Sequence, residues 1–413
     1  MHLDILDKLA NEVEMEVQSV YREIEARAMT NHQRVLKGFH LAKTSDYHLR
    51  GTTGYGYNDT GREALEKIYA HIFGAEAALV RGQIVSGTHA IAIALFGMLR
   101  PGDELLAVQG SPYDTLEEII GKRGNAPGSL KDLGISYNQV ELTPEGTLDW
   151  EGIEAALNPR TRVMLVQRSR GYAWRPSLTM AELQKLINYI KKRAPQVYVF
   201  VDNCYGELVE TLEPTAIGAD LIAGSLMKNP GGGLAPTGGY VAGRKDLVER
   251  AANRWTAPGI GAEVGPSLGH QGLLFQGIFL APHIVAEALK GAVFAARLFE
   301  RLGFKVSPAY DEQRSDIIQA IALESPERLV AFCRGIQGAS PVDAHALPEP
   351  DYMPGYEDDV IMAAGTFVQG ASLELTADAP LRQPYAVYLQ GGLSKEYVRI
   401  GVINAAKNVL KIK

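Results

Sequence analysis

Three short stretches carry residue types whose spacing could do chemistry. Lys228 follows the apolar run Leu221–Ala223, with Ser225 three positions before it and a permissive backbone behind it: Pro230, Gly231 to Gly233, then Pro236 to Gly239. A lysine at the end of a buried strand is poorly placed for solvent, so it should lose part of its proton affinity and act as an amine nucleophile. Read alone, it is also compatible with a surface lysine in a glycine-rich turn. Asp202 closes the apolar run Val197–Val201. A carboxylate there needs a cationic or hydrogen-bonding partner, either a protonated ring nitrogen of a cofactor or an arginine or helix N-terminus of the protein itself. Ser86, Gly87 and Thr88 fall where a helix begins, after the turn Arg81–Gln83. Free backbone N–H groups and the helix dipole make such a start a phosphate cradle; the plainer alternative is a serine cap.

These stretches require particular elements to hold them. A helix is predicted from Glu63 to Phe73, a strand from Ala77 to Arg81, and a second helix from Ser86 to Leu99, stopped by Pro101 and Gly102. Strands recur at Glu104–Val108, Val163–Gln167, Val197–Asp202, Leu221–Gly224 and Gly239–Ala242, with helical runs between most of them. That alternation predicts an α/β fold with a mainly parallel sheet covered on both faces, in which ligands sit at the carboxyl ends of the strands. Ser86, Asp202 and Lys228 all fall at strand ends or in the turns after them.

Before this region, helical periodicity runs from about Asp4 to Met29, a stripe that would pack on a neighbouring subunit or on its own core. Gly51 to Gly61 interleaves glycine with Tyr55, Tyr57 and threonines and reads as a shaped loop suited to meeting a ligand or partner. Beyond Pro266, helices are expected at Leu268–Phe279 and Ile284–Leu302. A smaller α+β region follows, with pieces at Phe304–Val306, Ile317–Ala322, Pro326–Gly335, Ile361–Thr366 and Ser372–Leu375 and a strand at Tyr397–Val402. The division expected is an N-terminal helix and arm over 1–61, a large domain over 62–265, and a linking helix with a small C-terminal domain over 266–413.

Composition narrows the function classes. A net charge of -7 argues against nucleic acid or an anionic membrane as partner, and two cysteines, Cys204 and Cys333, leave no disulfide framework or cysteine-rich zinc site. The acidic, amphipathic N-terminus does not read as a signal peptide, and no run approaches the roughly 18 apolar residues of a membrane span. A cytoplasmic protein is expected. No His/Asp/Glu cluster has metal-ligand spacing, so no metal is expected. His89 reads as a packed histidine and Cys204 as a small buried residue.

A carboxylate for a pyridinium nitrogen, a lysine for an aldehyde and a cradle for a phosphate together describe a site for pyridoxal 5'-phosphate. The stretches Gly54–Arg62, Ser86–Ile91, Ser111–Thr115, Val201–Tyr205, Gly218–Lys228, Gly239–Gly243 and Tyr397–Val402 resemble the methionine γ-lyase-like family of Cys/Met-metabolism enzymes. The resemblance implies fold type I, with a seven-stranded, mainly parallel sheet and a smaller C-terminal domain. By it, Lys228 is the lysine that joins the cofactor aldehyde, Asp202 pairs with the ring nitrogen, and Tyr113 stacks on the ring. Gly87 and Thr88 with Ser225 match phosphate-binding positions, joining Ser86 of the cradle, and Arg399 matches the arginine that clamps the substrate carboxylate. Tyr55 matches a tyrosine reaching the phosphate of a neighbouring subunit, which implies a homo-oligomer, a tetramer built as a dimer of dimers, with shared sites.

Some positions depart from the family pattern. Tyr57 stands where an arginine is usual, leaving Arg62, Arg168 or Arg170 to replace the charge. Met227 replaces a threonine before the lysine, and Arg168 to Tyr172 replaces a Pro-Asn type segment near the ring oxygen. The activity implied is elimination of a thiol from a sulfur amino acid, with Lys228 moving the Cα proton and Tyr113 protonating the thiol. Other pyridoxal-phosphate reactions (aminotransfer, aldol cleavage, γ-replacement) and a low-activity cofactor-binding protein remain the alternatives.

Overall fold

A computed structural model describes residues 2–124, 127–353 and 356–412. Seven strands form the first sheet: β1 (Ala77–Arg81), β2 (Glu104–Ala107), β3 (Ser136–Gln139), β4 (Thr161–Gln167), β5 (Tyr198–Asp202), β6 (Leu221–Ser225) and β7 (Gly239–Gly243). Their order is β1-β7-β6-β5-β4-β2-β3. β3, β2, β4, β5 and β6 pair in parallel, whereas β7 runs antiparallel to both β6 and β1. Parallel strands need crossover helices on the faces, so both faces are dry and successive side chains enter different cores. Val163, Leu165 and Phe200 pack in one hydrophobic cluster, and Met164, Val166, Val199 and Val201 in the other. Register aligns Gln167 with Asp202 and Asp202 with Ala223, so β4 and β5 end level and β6 runs on to Ser225 beside them. The fold-type-I, seven-stranded α/β architecture expected from the sequence is present, with β3 an additional edge strand.

The second sheet is antiparallel throughout: β8 (Lys305–Ser307), β9 (Ile318–Ala322), β10 (Val360–Ala363), β11 (Thr376–Pro380) and β12 (Ala386–Gln390), in the order β10-β11-β12-β9-β8. β11 and β12 escaped the sequence reading, and the piece Ser372–Leu375 is a turn leading into β11. Tyr397–Val402, expected as a strand, lies inside a helix, Lys395–Val409. Ser394 caps it by accepting from the Tyr397 N–H at 3.1 Å, and Val398, Val402, Ala405, Ala406 and Val409 form its buried stripe.

One helix, Gln271–Arg301, replaces the two expected on either side of Pro282. A proline inside a helix removes one backbone bond and crowds a carbonyl, but burial along the whole length outweighs that cost here. The helix is long and apolar enough to cross a membrane, yet most of that window is buried inside the fold. Glu287 and Lys290 interrupt its apolar run, and their side chains pair at 2.6 Å within the protein. The helix also presses on the turn after Lys228: a Cβ at Gly277 would lie 2.3 Å from the Gly231 oxygen, and one at Gly232 only 2.2 Å from the Gly277 oxygen. That close approach accounts for the glycines behind the lysine.

The N-terminal periodicity resolves into two helices, His2–Glu16 and Gln18–Leu41, longer together than the stretch predicted. Leu6, Ala10, Val13 and Val17 are buried in the chain's own core. Ion pairs from Glu12 to Arg301, Glu14 to Lys395 and Asp7 to Lys407 fasten the first helix to this body.

Candidate active site

A cavity of about 660 Å³ opens at the carboxyl ends of β4, β5 and β6 and the start of the helix Gly87–Met98. Ser86, Gly87, Thr88, Tyr113, Asp202, Ser225 and Lys228 all line it. Seven of the residues singled out in the sequence are thus brought together. Tyr55, Tyr57 and Arg399 are not among its lining residues.

The cradle is built by the helix start. Ser86 caps the helix, its Oγ accepting from the His89 N–H at 3.0 Å, while His89 Nδ1 accepts from the Val85 N–H at 3.3 Å and closes the turn before it. Gly87 and Thr88 come first in the helix, where amides have no intrahelical acceptor and remain free for a ligand. A Cβ at Gly87 would stand 3.1 Å from Cys204 Sγ and 3.3 Å from Ser225 Cβ, so only glycine leaves the cradle open. Ser225 Oγ accepts from the Met227 N–H at 3.2 Å, which holds the turn leading to Lys228.

Asp202 ends β5, buried, with Oδ1 accepting from the Cys204 N–H at 3.1 Å. Burial pushes its carboxyl above the usual range, and the Lys228 charge and the Cys204 amide draw back only part of that. Lys228 Nζ sits 3.8 Å from the centre of the Tyr205 ring. Burial works against its ammonium, but the Asp202 carboxylate outweighs that and holds the free amine above its ordinary range. The expectation that this lysine loses proton affinity is therefore corrected for the free site: strand-end burial is real, but a carboxylate is buried with it. Asn229, the next residue, is fully buried and donates through Nδ2 to the carbonyls of Tyr205 at 3.0 Å and Glu207 at 2.9 Å. It ties the lysine turn to the segment that follows Asp202, a role no local sequence pattern announced.

Tyr113 is fixed at both ends. Its N–H donates to Gln167 Oε1 at 3.1 Å and its hydroxyl to Thr88 Oγ1 at 3.1 Å, and burial raises the phenol so that it stays protonated. The far wall includes Arg170, Tyr172 and Tyr205, which lie in stretches singled out in the sequence, and Arg175, Tyr356 and Arg382, which the sequence reading missed. Tyr172 stacks on Tyr356 with ring centres 5.7 Å apart, and its hydroxyl donates to Asp378 of β11 at 2.6 Å. Burial pushes the Asp378 carboxyl up to about 6, and hydrogen bonds from Tyr172 and Gln390 and the nearby Lys228 charge oppose this only in part.

The arginines sort differently from the sequence reading. Arg399 lies on the helix Lys395–Val409, donating to Asn11 at 2.6 Å beside the N-terminal helix, so it is not placed to clamp a ligand in this cavity. Arg168 is buried and pairs with Glu213 at 3.2 Å, and Arg62 donates to the carbonyls of Gly56 at 2.8 Å and Gly265 at 2.9 Å. Arg62 thereby shapes the tyrosine loop, where Tyr55 and Tyr57 are exposed with ring centres 5.5 Å apart. Of the three proposed replacements for the missing charge, Arg170 alone reaches the cavity wall.

Comparison with known sequences settles the lineage. The profile of the methionine gamma-lyase family matches residues 6–410. The chain belongs to the methionine gamma-lyase family. A carbon-sulfur lyase involved in aluminum resistance from Clostridium novyi superposes with a TM-score of 0.94 at 46% identity, covering 98% of this chain and 95% of that one. A Listeria innocua protein assigned as a cystathionine beta-lyase involved in aluminum resistance gives 0.95 at 53% identity, over 97% and 98% of the two chains. The L-methionine gamma-lyase of Pseudomonas putida is 30% identical over 217 residues, 52% of this chain and 48% of its own length. Membership of the methionine gamma-lyase family agrees with a cavity that gathers a lysine, a buried carboxylate and a helix-start cradle.

Proposed function

We propose that this protein is a pyridoxal-phosphate-dependent carbon–sulfur lyase acting on a sulfur amino acid. The observation that carries the reading is the meeting of Lys228, Asp202 and the Ser86–Thr88 cradle in one cavity of a methionine gamma-lyase family chain. The residues fit the cofactor: the cradle has free amides and only tight space beside Gly87, where a Cβ would crowd Cys204 and Ser225, and Asp202 is a buried acid in need of a cationic partner. Ser86, Gly87, Thr88 and Ser225 would hold the phosphate, Asp202 the ring nitrogen, Tyr113 the ring face and Lys228 the aldehyde carbon. When bound, pyridoxal phosphate supplies an electron sink for negative charge at the substrate Cα.

The chain's own residues do the rest. With the cofactor bound, Lys228 would take the Cα proton through Nζ in its neutral form, and the Tyr205 ring lies 3.8 Å from that nitrogen along one wall. Tyr113, kept protonated by burial and held by Thr88, is the acid for the departing sulfur. The aromatic wall of Tyr172, Tyr205 and Tyr356 excludes water and gives an apolar surface for a thioether. The exposed Tyr55–Tyr57 loop would meet a second copy of the chain, giving a homo-oligomer with shared sites.

The test is keto-acid release from cystathionine, cysteine, methionine and homocysteine by protein loaded with pyridoxal phosphate. Pyruvate with ammonia and a thiol marks elimination at Cβ; 2-oxobutyrate from methionine marks elimination at Cγ. No keto acid from any of the four, by a protein that nonetheless binds the cofactor, refutes the lyase reading in favour of the non-catalytic one.

A further inference from the structure

Among the arginines on the cavity wall, Arg170 and Arg382 have acidic partners, Asp316 at 4.0 Å and Asp358 at 3.1 Å. Arg175 makes no ion pair among the described residues. Its nitrogens are held instead by neutral carbonyls from two segments: Nη1 by Gln109 at 2.8 Å, Nη2 by Ser169 at 3.3 Å and Nε by Arg170 at 3.4 Å. A guanidinium has five N–H donors, so this leaves one spare donor on each terminal nitrogen for an acceptor in the cavity. Burial, with Arg170 adding repulsion, pulls Arg175 down to about 10, and the carboxylates of Asp316, Asp202 and Glu141 offset this only in part from longer range. A cation pinned by carbonyls on a cavity wall, with no carboxylate in ion-pair contact among the described residues, is poised for an anion from outside the chain.

We infer that Arg175 pairs with an anionic oxygen of the bound ligand, in place of the Arg399 clamp that lies outside the cavity. The inference rests on the proposed function, because that reading supplies the two candidate oxygens: the substrate carboxylate and the ring oxygen of the cofactor. Both are oxyanions, and both disappear from the site if no pyridoxal phosphate or amino acid binds there. The rigid hold on the guanidinium makes Arg175 a binding group rather than a mobile one, since Gln109 and Ser169 fix its plane before any ligand arrives.

The experiment compares wild type, R175Q and R175K, each loaded with pyridoxal phosphate and followed by visible absorbance. Dissociation constants are measured for glycine and for methylamine, which is glycine without its carboxylate, and the visible band is titrated from pH 6 to 10. If the partner is the carboxylate, R175Q weakens glycine by roughly 10–100-fold, the loss of a charge-assisted hydrogen bond, and leaves methylamine unchanged. If it is the ring oxygen, the glycine-to-methylamine ratio is kept and the band's pH transition moves upward in R175Q. R175K keeps the charge without the fork, so its effect lies between, and it carries the test alone if R175Q does not fold. Unchanged ligand ratios and an unchanged band in folded variants overturn the role of Arg175 while leaving the function intact. A wild type that develops no visible band with pyridoxal phosphate sinks the proposed function, and Arg175 with it.

Discussion

Replacing Asp378 by asparagine isolates one ionisation from the many in this fold. Asp378 is buried behind the cavity wall, accepting from the Tyr172 hydroxyl at 2.6 Å and from Gln390, with Lys228, Tyr205, Tyr356 and Cys333 as the other ionisable neighbours. Its carboxyl is raised from 3.8 to about 6. A carboxyl that holds its proton more tightly when folded costs nothing below the unfolded value, where both states are protonated. Between pH 3.8 and about 6 the unfolded chain loses its proton first, so stability falls across that window and stays lower above it. The full cost is about 3 kcal/mol from that difference in proton affinity. Asparagine mimics the protonated acid: its oxygen still accepts from Tyr172 and Gln390, and it carries no charge to desolvate. D378N and wild type should therefore unfold alike near pH 4. By pH 7.5 the variant should be the more stable by up to about 3 kcal/mol, which means a few degrees in Tm for a chain of this length. All other groups titrate in both proteins and cancel in the difference, so the assay is the Tm gap against pH, read by scanning calorimetry without cofactor. A gap that does not change with pH refutes the reasoning, as does one of opposite sign.

Other substitutions test the cavity directly. Asp202→Asn keeps the acceptor for the Cys204 amide but removes the charge, so cofactor-dependent keto-acid release should fall roughly 10–100-fold at little cost in Tm, and a change under threefold would contradict its role. Gly87→Ala puts a methyl 3.1 Å from Cys204 Sγ and narrows the cradle, so pyridoxal phosphate should bind about tenfold more weakly in an absorbance titration, with the fold intact by circular dichroism. Asn229→Ala removes the side-chain donor to the Glu207 carbonyl and one of two donors to the Tyr205 carbonyl, which also accepts from the Ile317 N–H, and with about 1–3 kcal/mol lost for a buried group left unpaired the variant should melt lower and turn over more slowly.

How far the site was legible depends on where each residue sits relative to a local pattern. Lys228, Asp202 and Ser86–Thr88 stand where a strand or helix begins or ends, so the break in hydrophobic periodicity points straight at them. Tyr172, Arg175, Arg382 and Asp378 come from loops and from β11, and only long-range packing brings them to the same cavity. β11 holds Asp378 and ends at Pro380, and β12 follows within a few residues, a hairpin too short and too polar at its turn to stand out from a loop. Asn229 gives no pattern at all, because its two acceptors lie 24 and 22 positions away.

The arginine is the instructive failure. Tyr397 to Val402 alternates in hydrophobicity over six residues, which reads as a strand, but Val398, Val402, Ala405 and Val409 are also spaced for one face of a helix. The serine cap at Ser394 and a buried stripe lying against Gly291 and Gly335 decide the contest for the helix: a Cβ at Gly335 would come 2.4 Å from Ala405 Cα, and one at Gly291 2.6 Å from Val398. Once the segment is helical, Arg399 turns toward Asn11 and the N-terminal helix, and the strand that precedes it in the sheet is β12, which has no arginine. A motif match therefore fixed the residue type the chemistry needs without fixing its place. Under the proposed function the charge would come from the cavity wall, where Arg175 is held by three carbonyls and makes no ion pair among the described residues.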